Sequence, residues 1–228
     1  MSGLAQVENL SKRFGSHIGV DELSFELAEG SVVGLLGLNA AGKSTCLKLM
    51  AGLLTPSAGG IKVLGRKPRL QRHFIAYMSE KDTLYEWLNV KSATRLMKGL
   101  FPDFREDRFY ELVSMLDVPL HTVKAMSKGQ RTRLRLAMTL ARKARLFLLD
   151  EPLSGIDLIS REQILHALIY EWREDATVML STHELLEAEK MLDRVLLLKE
   201  GRLVLDTTPQ DLSSQGQTVV DSFKEILA

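Results

Sequence analysis

The sequence predicts an α/β protein: a mixed central sheet, an antiparallel β-subdomain ahead of it and a helical subdomain inserted within it. Three features carry that prediction. A glycine-rich stretch, Gly37–Thr45 (GLNAAGKST), lies between a short β-branched run and a helical pattern. A continuous apolar run, Leu146–Leu149, ends in two acids, Asp150 and Glu151. Between them, from about residue 81 to residue 145, apolar residues recur at helical spacing. The body is therefore placed at 1–80 and 146–228, with the helical insertion in between.

The stretch GLNAAGKST matches the phosphate-loop pattern of Gly, four free positions, then Gly-Lys-Ser/Thr. Gly37, Leu38, Asn39, Ala40, Ala41 and Gly42 offer a concave row of backbone N–H donors, and glycine lets the chain approach a phosphate tail closely. Lys43 brings a positive charge to the β- and γ-phosphates, the Ser44 hydroxyl can ligand Mg²⁺, and Thr45 completes the motif. Ser31–Leu36 upstream has the length and branching of a buried strand; downstream, Cys46, Met50 and Leu53 keep helical spacing until Gly52 and Pro56 end it. Strand, loop, helix is the setting that aims a helix dipole at phosphate.

Composition narrows the classes. A chain of 228 residues can bury a substantial core, and a net charge of +1 provides no field to gather nucleic acid or an anionic membrane. The one cysteine, Cys46, cannot form an internal disulfide; it reads as a small packed residue in a reducing cytosol. No basic and apolar leader opens the chain, and no run approaches the ~20 apolar residues of a membrane span. The expectation is a soluble protein.

In chain order, Leu4–Leu10 and Val20–Leu27 read as strands, with Val20, Leu23, Phe25 and Leu27 spaced for a half-buried antiparallel sheet. Lys12–Gly15 between them reads as a polar turn, where Phe14 either packs or stacks on a nucleotide base. Thr55–Gly60 is a turn cluster, Ile61–Gly65 an edge strand and Phe74–Met78 a buried one. Ser92–Phe101 and Arg105–Leu116 are helices, broken at Pro102-Asp103, where Asp103 is the expected N-cap. Arg131–Lys143 is helical with Leu134, Met138 and Ala141 on one face. Its bases, Arg131, Arg133, Arg135, Arg142 and Lys143, read as a solvated face rather than a nucleic-acid patch. Ser127, Lys128, Gly129 and Gln130 open that helix with free N–H groups, a second anion site.

The strand ending at Asp150-Glu151 delivers two acids where α/β folds bind ligands: the first to hold magnesium, the second to polarise an attacking water. Thr177–Ser181 is another buried strand, leading to His183, which is either structural or a phosphate sensor. Arg194–Leu198 and Arg202–Leu205 form a hairpin about Glu200-Gly201, and a polar, partly helical tail follows from Gln210.

Taken together, the chain resembles the ATP-binding cassette (ABC) ATPases, phosphate-loop enzymes that serve as nucleotide-binding subunits of membrane transporters. GLNAAGKST resembles their Walker A motif and Leu146–Pro152 their Walker B; Ser154–Asp157 is similar to the D-loop, and Met126–Gln130 resembles the family's signature. The resemblance covers essentially the whole chain. It implies ATP and Mg²⁺ as cofactors, lying between the Walker A of one copy and the signature of another, the second copy being identical or a paralogue. It implies that Glu151 acts as base, that Asp150 and Ser44 hold Mg²⁺, and that Lys43 and His183 contact the γ-phosphate. Ser127, Lys128, Gly129 and Gln130 would complete the other copy's pocket, Asp157 would relay between sites, and Phe14 falls on the base-stacking aromatic.

Two residues depart from the family pattern. Lys128 replaces the first glycine of Ser-Gly-Gly-Gln, and Glu80 stands where the Q-loop glutamine is usual, still able to ligand magnesium or its water. Two functional classes follow. In the first the chain energises a separate transmembrane permease, at the cytoplasmic face of the plasma membrane, most resembling bacterial export subunits. The permease would dock near Tyr77, Tyr85 and Trp87, which read equally well as core. In the second it is a soluble ATPase of DNA repair or translation. Only 46 residues separate Glu80 from Ser127, leaving no room for the long coiled coil of chromosome-type members, and there is one cassette rather than two. The transporter class is favoured, with no nucleic acid expected.

Overall fold

The computed structural model describes residues 3–154, 156–170, 176–182 and 189–227. Among them, β1 (Ala5–Phe14), β2 (His17–Leu27) and β4 (Ala58–Val63) form an antiparallel sheet in the order β2-β1-β4. A six-stranded sheet has the order β5-β6-β7-β3-β8-β9, built from β3 (Val32–Leu36), β5 (Ile75–Met78), β6 (Leu146–Asp150), β7 (Thr177–Thr182), β8 (Arg194–Lys199) and β9 (Arg202–Thr207). Its first five members are parallel and β9 returns antiparallel on β8.

The strands of the larger sheet are apolar along both faces because both faces are covered. Alternation divides them. Val33, Leu35, Leu146, Leu148, Met179, Leu196 and Leu198 face the core shared with α1 (Lys43–Met50) and the antiparallel sheet. Val32, Leu36, Phe147, Leu149, Val178, Leu180 and Leu197 face the core shared with α2 (Val90–Leu100), α3 (Glu106–Met115) and α4 (Lys128–Leu140). A further helix, α5 (Leu158–Tyr170), follows β6, and α6 (Pro209–Ser214) and α7 (Val219–Leu227) form the tail.

Several boundaries differ from the sequence reading, each for a local reason. Lys12–Phe14 continues β1 rather than turning, and only Gly15 (φ +60°) and Ser16 make the turn. A bulge at Glu22 (φ +53°) lets Val20 share the buried face of Leu23, Phe25 and Leu27, although its spacing is odd. The N-cap of α3 is Arg105. Asp103 instead accepts from Arg142, at 3.1 Å from Nε.

The larger correction concerns the basic residues of α4. Of the face expected to be solvated, only Lys143 is exposed and Arg131 half-buried; Arg133, Arg135 and Arg142 are all buried. Arg142 donates to the carbonyls of Ile75 (2.7 Å) and His73 (3.1 Å), pairs with Asp103, and lies 4.2 Å from the centre of the Phe101 ring. It thus ties the chain just after α4 to the start of β5. We expect Arg142→Met to lower the unfolding free energy in urea by about 3 kcal/mol, since it strands a carboxylate and two carbonyls. A loss under ~1 kcal/mol would show that water replaces the guanidinium without penalty.

Candidate phosphate-binding site

The site lies at the C-terminal ends of neighbouring parallel strands, where Leu36 pairs with Thr182 and Asp150 with Ser181. From β3 the chain passes through Gly37 (φ +149°), Ala40 (φ +65°) and Gly42 (φ +104°) into α1. Gly42 is required twice over: its φ is left-handed, and a Cβ there would run into the carbonyl oxygen of Gly19. The loop and the antiparallel sheet therefore touch backbone to backbone.

Lys43 is 6% exposed and folds back over the loop, its Nζ donating to the carbonyls of Gly37 (2.8 Å) and Leu38 (3.3 Å) and standing 3.2 Å from Glu151 Oε1. Glu151 is 7% exposed, with a left-handed φ of +49° held by its N–H donating to Ser181 Oγ at 2.9 Å. That strain aims the carboxylate back at the loop. Beneath it, Asp150 Oδ1 accepts from Ser44 Oγ (2.9 Å) and Ser181 Oγ (2.8 Å), and Oδ2 accepts from Tyr77 Oη (3.2 Å). Burial, and then the Asp150 charge, raise the pKa of Tyr77, so its hydroxyl remains a donor.

A pocket of about 340 Å³ opens above these groups, lined by Asn39–Thr45, Glu80, Glu151 and Ser154, with His17 and Gly19 from β2. Its polar groups include backbone N–H donors, the Lys43 ammonium, the hydroxyls of Ser44, Thr45 and Ser154, and the carboxylates of Glu80 and Glu151. That set suits a polyphosphate with a hard cation, and Ser44 with Asp150 is the oxygen pair that fits Mg²⁺. Among the described residues no cluster of three or more His, Cys, Asp or Glu could hold a metal alone. Mg²⁺ commonly takes few protein ligands and completes its shell with water and phosphate.

Other expected site residues lie off this pocket. Ser127 caps α4: its Oγ accepts from the Gln130 N–H (3.2 Å), and Gln130 Oε1 accepts from the Ser127 N–H (2.8 Å). Ser127, Lys128, Gly129, Gln130 and Asp157 are absent from the pocket lining. Phe14 is exposed and lies against Gly19, whose missing side chain makes room for the ring beside Thr45. His183 and Gly155 lie outside the described residues.

Sequence reasoning missed His17, Gly19, Tyr77 and Ser181 as parts of the site. Only Gly19 carried a signal, a glycine between Ile18 and Val20 in a strand, the mark of a close backbone approach. Of the three aromatics, Tyr85 and Trp87 are not core: both are exposed and stack at 5.7 Å. Tyr77 lines a groove of about 400 Å³ with Met78, Leu84, Met97, Phe101 and Met138.

Cys46, one turn into α1, is fully buried, and burial pushes its thiol up to about 12 from the usual 9.0. Thiolate then forms only as pH rises towards 12, whereas the unfolded chain supplies it near the ordinary value. We expect no reaction with a disulfide reagent at mildly alkaline pH until urea unfolds the protein. Stoichiometric labelling of the native chain would show Cys46 to be accessible.

Comparison with known proteins fits this geometry. Residues 20–154 match the family model described as "ABC transporter". The "Uncharacterized ABC transporter ATP-binding protein YxlF" of Bacillus subtilis is 34% identical over 95% of this chain and 75% of its own length. The "Nod factor export ATP-binding protein I" of Neorhizobium galegae is 38% identical over 85% of this chain, but only 58% of its own length. A solved "Structure of ATP binding subunit of ABC transporter" superposes with a TM-score of 0.88 at 27% identity, covering 99% of this chain and all of the other.

Proposed function

The chain belongs to the ABC transporter family, and from that premise we propose that two copies, or one copy and a paralogue, close around two ATP–Mg²⁺ complexes to drive a separate transmembrane permease. The chain is an ATP-binding ATPase of a membrane transporter. The observation that carries the finer reading is the division of the site. The phosphate pocket is lined by Lys43, Ser44 and Glu151, with Asp150 bonded to Ser44 beneath it, while the capped N-terminus of α4, with the exposed Ser127, stands outside it. A helix N-terminus offers first-turn N–H groups to an anion, and here that anion is a phosphate held by the second copy.

In this reading Lys43 and the loop backbone hold the phosphates. When bound, Mg²⁺ neutralises the phosphate charge, with Ser44 and Asp150 as its protein oxygens and Glu80 facing it or its water. Glu151 exchanges Lys43 for a water and polarises it as base. Asp157, exposed beyond β6, serves the contact between copies, His183 contacts the γ-phosphate, and Phe14 lies under the base.

The permease reading is supported by the groove beside β5. Met78, Leu84, Met97, Phe101 and Met138 give it an apolar lining able to take an amphipathic helix. Among the described residues no helix is long and apolar enough to cross a membrane. In this reading the membrane-spanning part belongs to a separate partner, with this chain at the cytoplasmic face.

The test is Glu151→Gln, which removes the base and one half of the Lys43 pair while keeping the shape. We expect hydrolysis to fall by about 100-fold or more, and ATP–Mg²⁺ to convert the variant from monomer to dimer in sizing experiments. Undiminished hydrolysis would remove Glu151 from the chemistry. ATP binding without dimers, even with the permease present, would contradict the shared site.

A further inference from the structure

Arg135 sits two turns into α4 and is 9% exposed. Its guanidinium does not seek a carboxylate. Instead Nη1 stands within hydrogen-bonding distance of three successive backbone carbonyls, those of Ser79 (2.8 Å), Glu80 (3.2 Å) and Lys81 (2.6 Å), while Nη2 donates to Thr132 Oγ1 (3.3 Å). Three carbonyls turned towards one point repel one another unless a cation stands between them. The curl of 79–81 therefore depends on this side chain. One turn earlier Arg131 donates to Asp82 Oδ2 (3.2 Å) and to the Met126 carbonyl (3.1 Å), fastening the next residue to the same helix.

On its other side this segment carries Glu80 into the phosphate pocket beside Lys43, Ser44 and Glu151. The same helix begins at Ser127, about 12 Å along its axis from Arg135. We propose that Arg135 is a positioning residue: by gathering the carbonyls of 79–81 it sets where the Glu80 carboxylate stands against the nucleotide-bound cation, and fastens that carboxylate to the helix that begins at Ser127. This rests on the reading of Glu80 as a group facing the metal.

A side chain that merely holds the fold together would act whether or not residue 80 is a carboxylate, and this separates the two roles. The experiment is a titration of Mn²⁺, followed by electron paramagnetic resonance, on the full chain with a slowly hydrolysed ATP analogue. Five proteins are compared: wild type, Arg135→Met, Arg135→Lys, Glu80→Gln, and Glu80→Gln with Arg135→Met. Arg135→Met is expected to weaken Mn²⁺ binding about fivefold or more, yet by less than about twofold when Glu80→Gln is already present. Metal-free binding of the analogue should stay within about twofold of wild type.

Arg135→Lys keeps the charge but not the fork, so it should weaken Mn²⁺ binding by a smaller factor. It decides the matter if the methionine variant does not fold: a lysine variant identical to wild type overturns the proposal. Equal weakening by Arg135→Met in both backgrounds also overturns it. If Glu80→Gln weakens Mn²⁺ binding and Arg135→Met does not, only the role of Arg135 falls. If Glu80→Gln itself changes nothing, the reading of Glu80 at the metal falls and the role of Arg135 with it.

Discussion

Lys43, at the start of α1, and Glu151, just past β6, form an ion pair with both side chains 6% exposed, bridging the loop after β3 to a strand two positions away in the sheet. Neither charge is tolerable there alone, because burying an unpaired ammonium or carboxylate costs several kcal/mol. The pairing therefore dictates what surrounds it. Lys43 spends its remaining donors on Gly37 and Leu38, which holds the loop curled. Glu151 accepts a left-handed backbone, secured by Ser181, to reach the lysine. An arriving phosphate can take over Lys43 and leave Glu151 available to a water. The pair is thus both a stabilising element of the pocket and the element that phosphate must undo.

The rest of the fold presents that pair. The parallel sheet, coated on both faces, brings Gly37, Asp150 and Thr182 to a common edge. The antiparallel sheet closes one side through the backbone contact of Gly42 with Gly19 and sets Phe14 beside it. On the other side, α4 is joined to the pocket through Ser79–Asp82, which Arg135 and Arg131 hold and which carries Glu80 into the lining. The helical subdomain and the phosphate site are in contact through a loop, and that loop is shaped by side chains of the helix.

Much of this was legible in the sequence, because the phosphate loop, the apolar strand before it and the acid pair after β6 are local patterns whose chemistry is fixed by spacing. Ser44 and Asp150 are 106 positions apart, yet each motif pointed to the same site, and the two side chains meet in a hydrogen bond. The misreadings share a different cause. Arg133 and Arg135 on α4 and Arg142 just beyond it are charged residues, and nothing local says that their partners include backbone carbonyls of Leu116, of the segment after β5, and of Ile75 and His73 at its start. Asp103 was placed as a cap for the same reason; its partner lies 39 residues on. Tyr77 read as core or docking surface, whereas its hydroxyl finds an aspartate across the sheet. The helix α5 carried apolar residues on no single stripe and was passed over. Tertiary partners of long polar side chains are what a single sequence does not display.

The central claim is that one copy's phosphate loop and another copy's Ser127 enclose the same ATP. The most direct measurement is cross-linking in a Cys46→Ala background between Asn39→Cys and Lys128→Cys, introduced in separate copies and mixed. Asn39 lines the pocket and Lys128 adjoins Ser127, and both are exposed in the single chain. The account predicts a cross-linked dimer that forms with ATP–Mg²⁺, is strengthened by Glu151→Gln and is absent without nucleotide. A cross-link indifferent to nucleotide, or none in the presence of ATP and the permease, would contradict it.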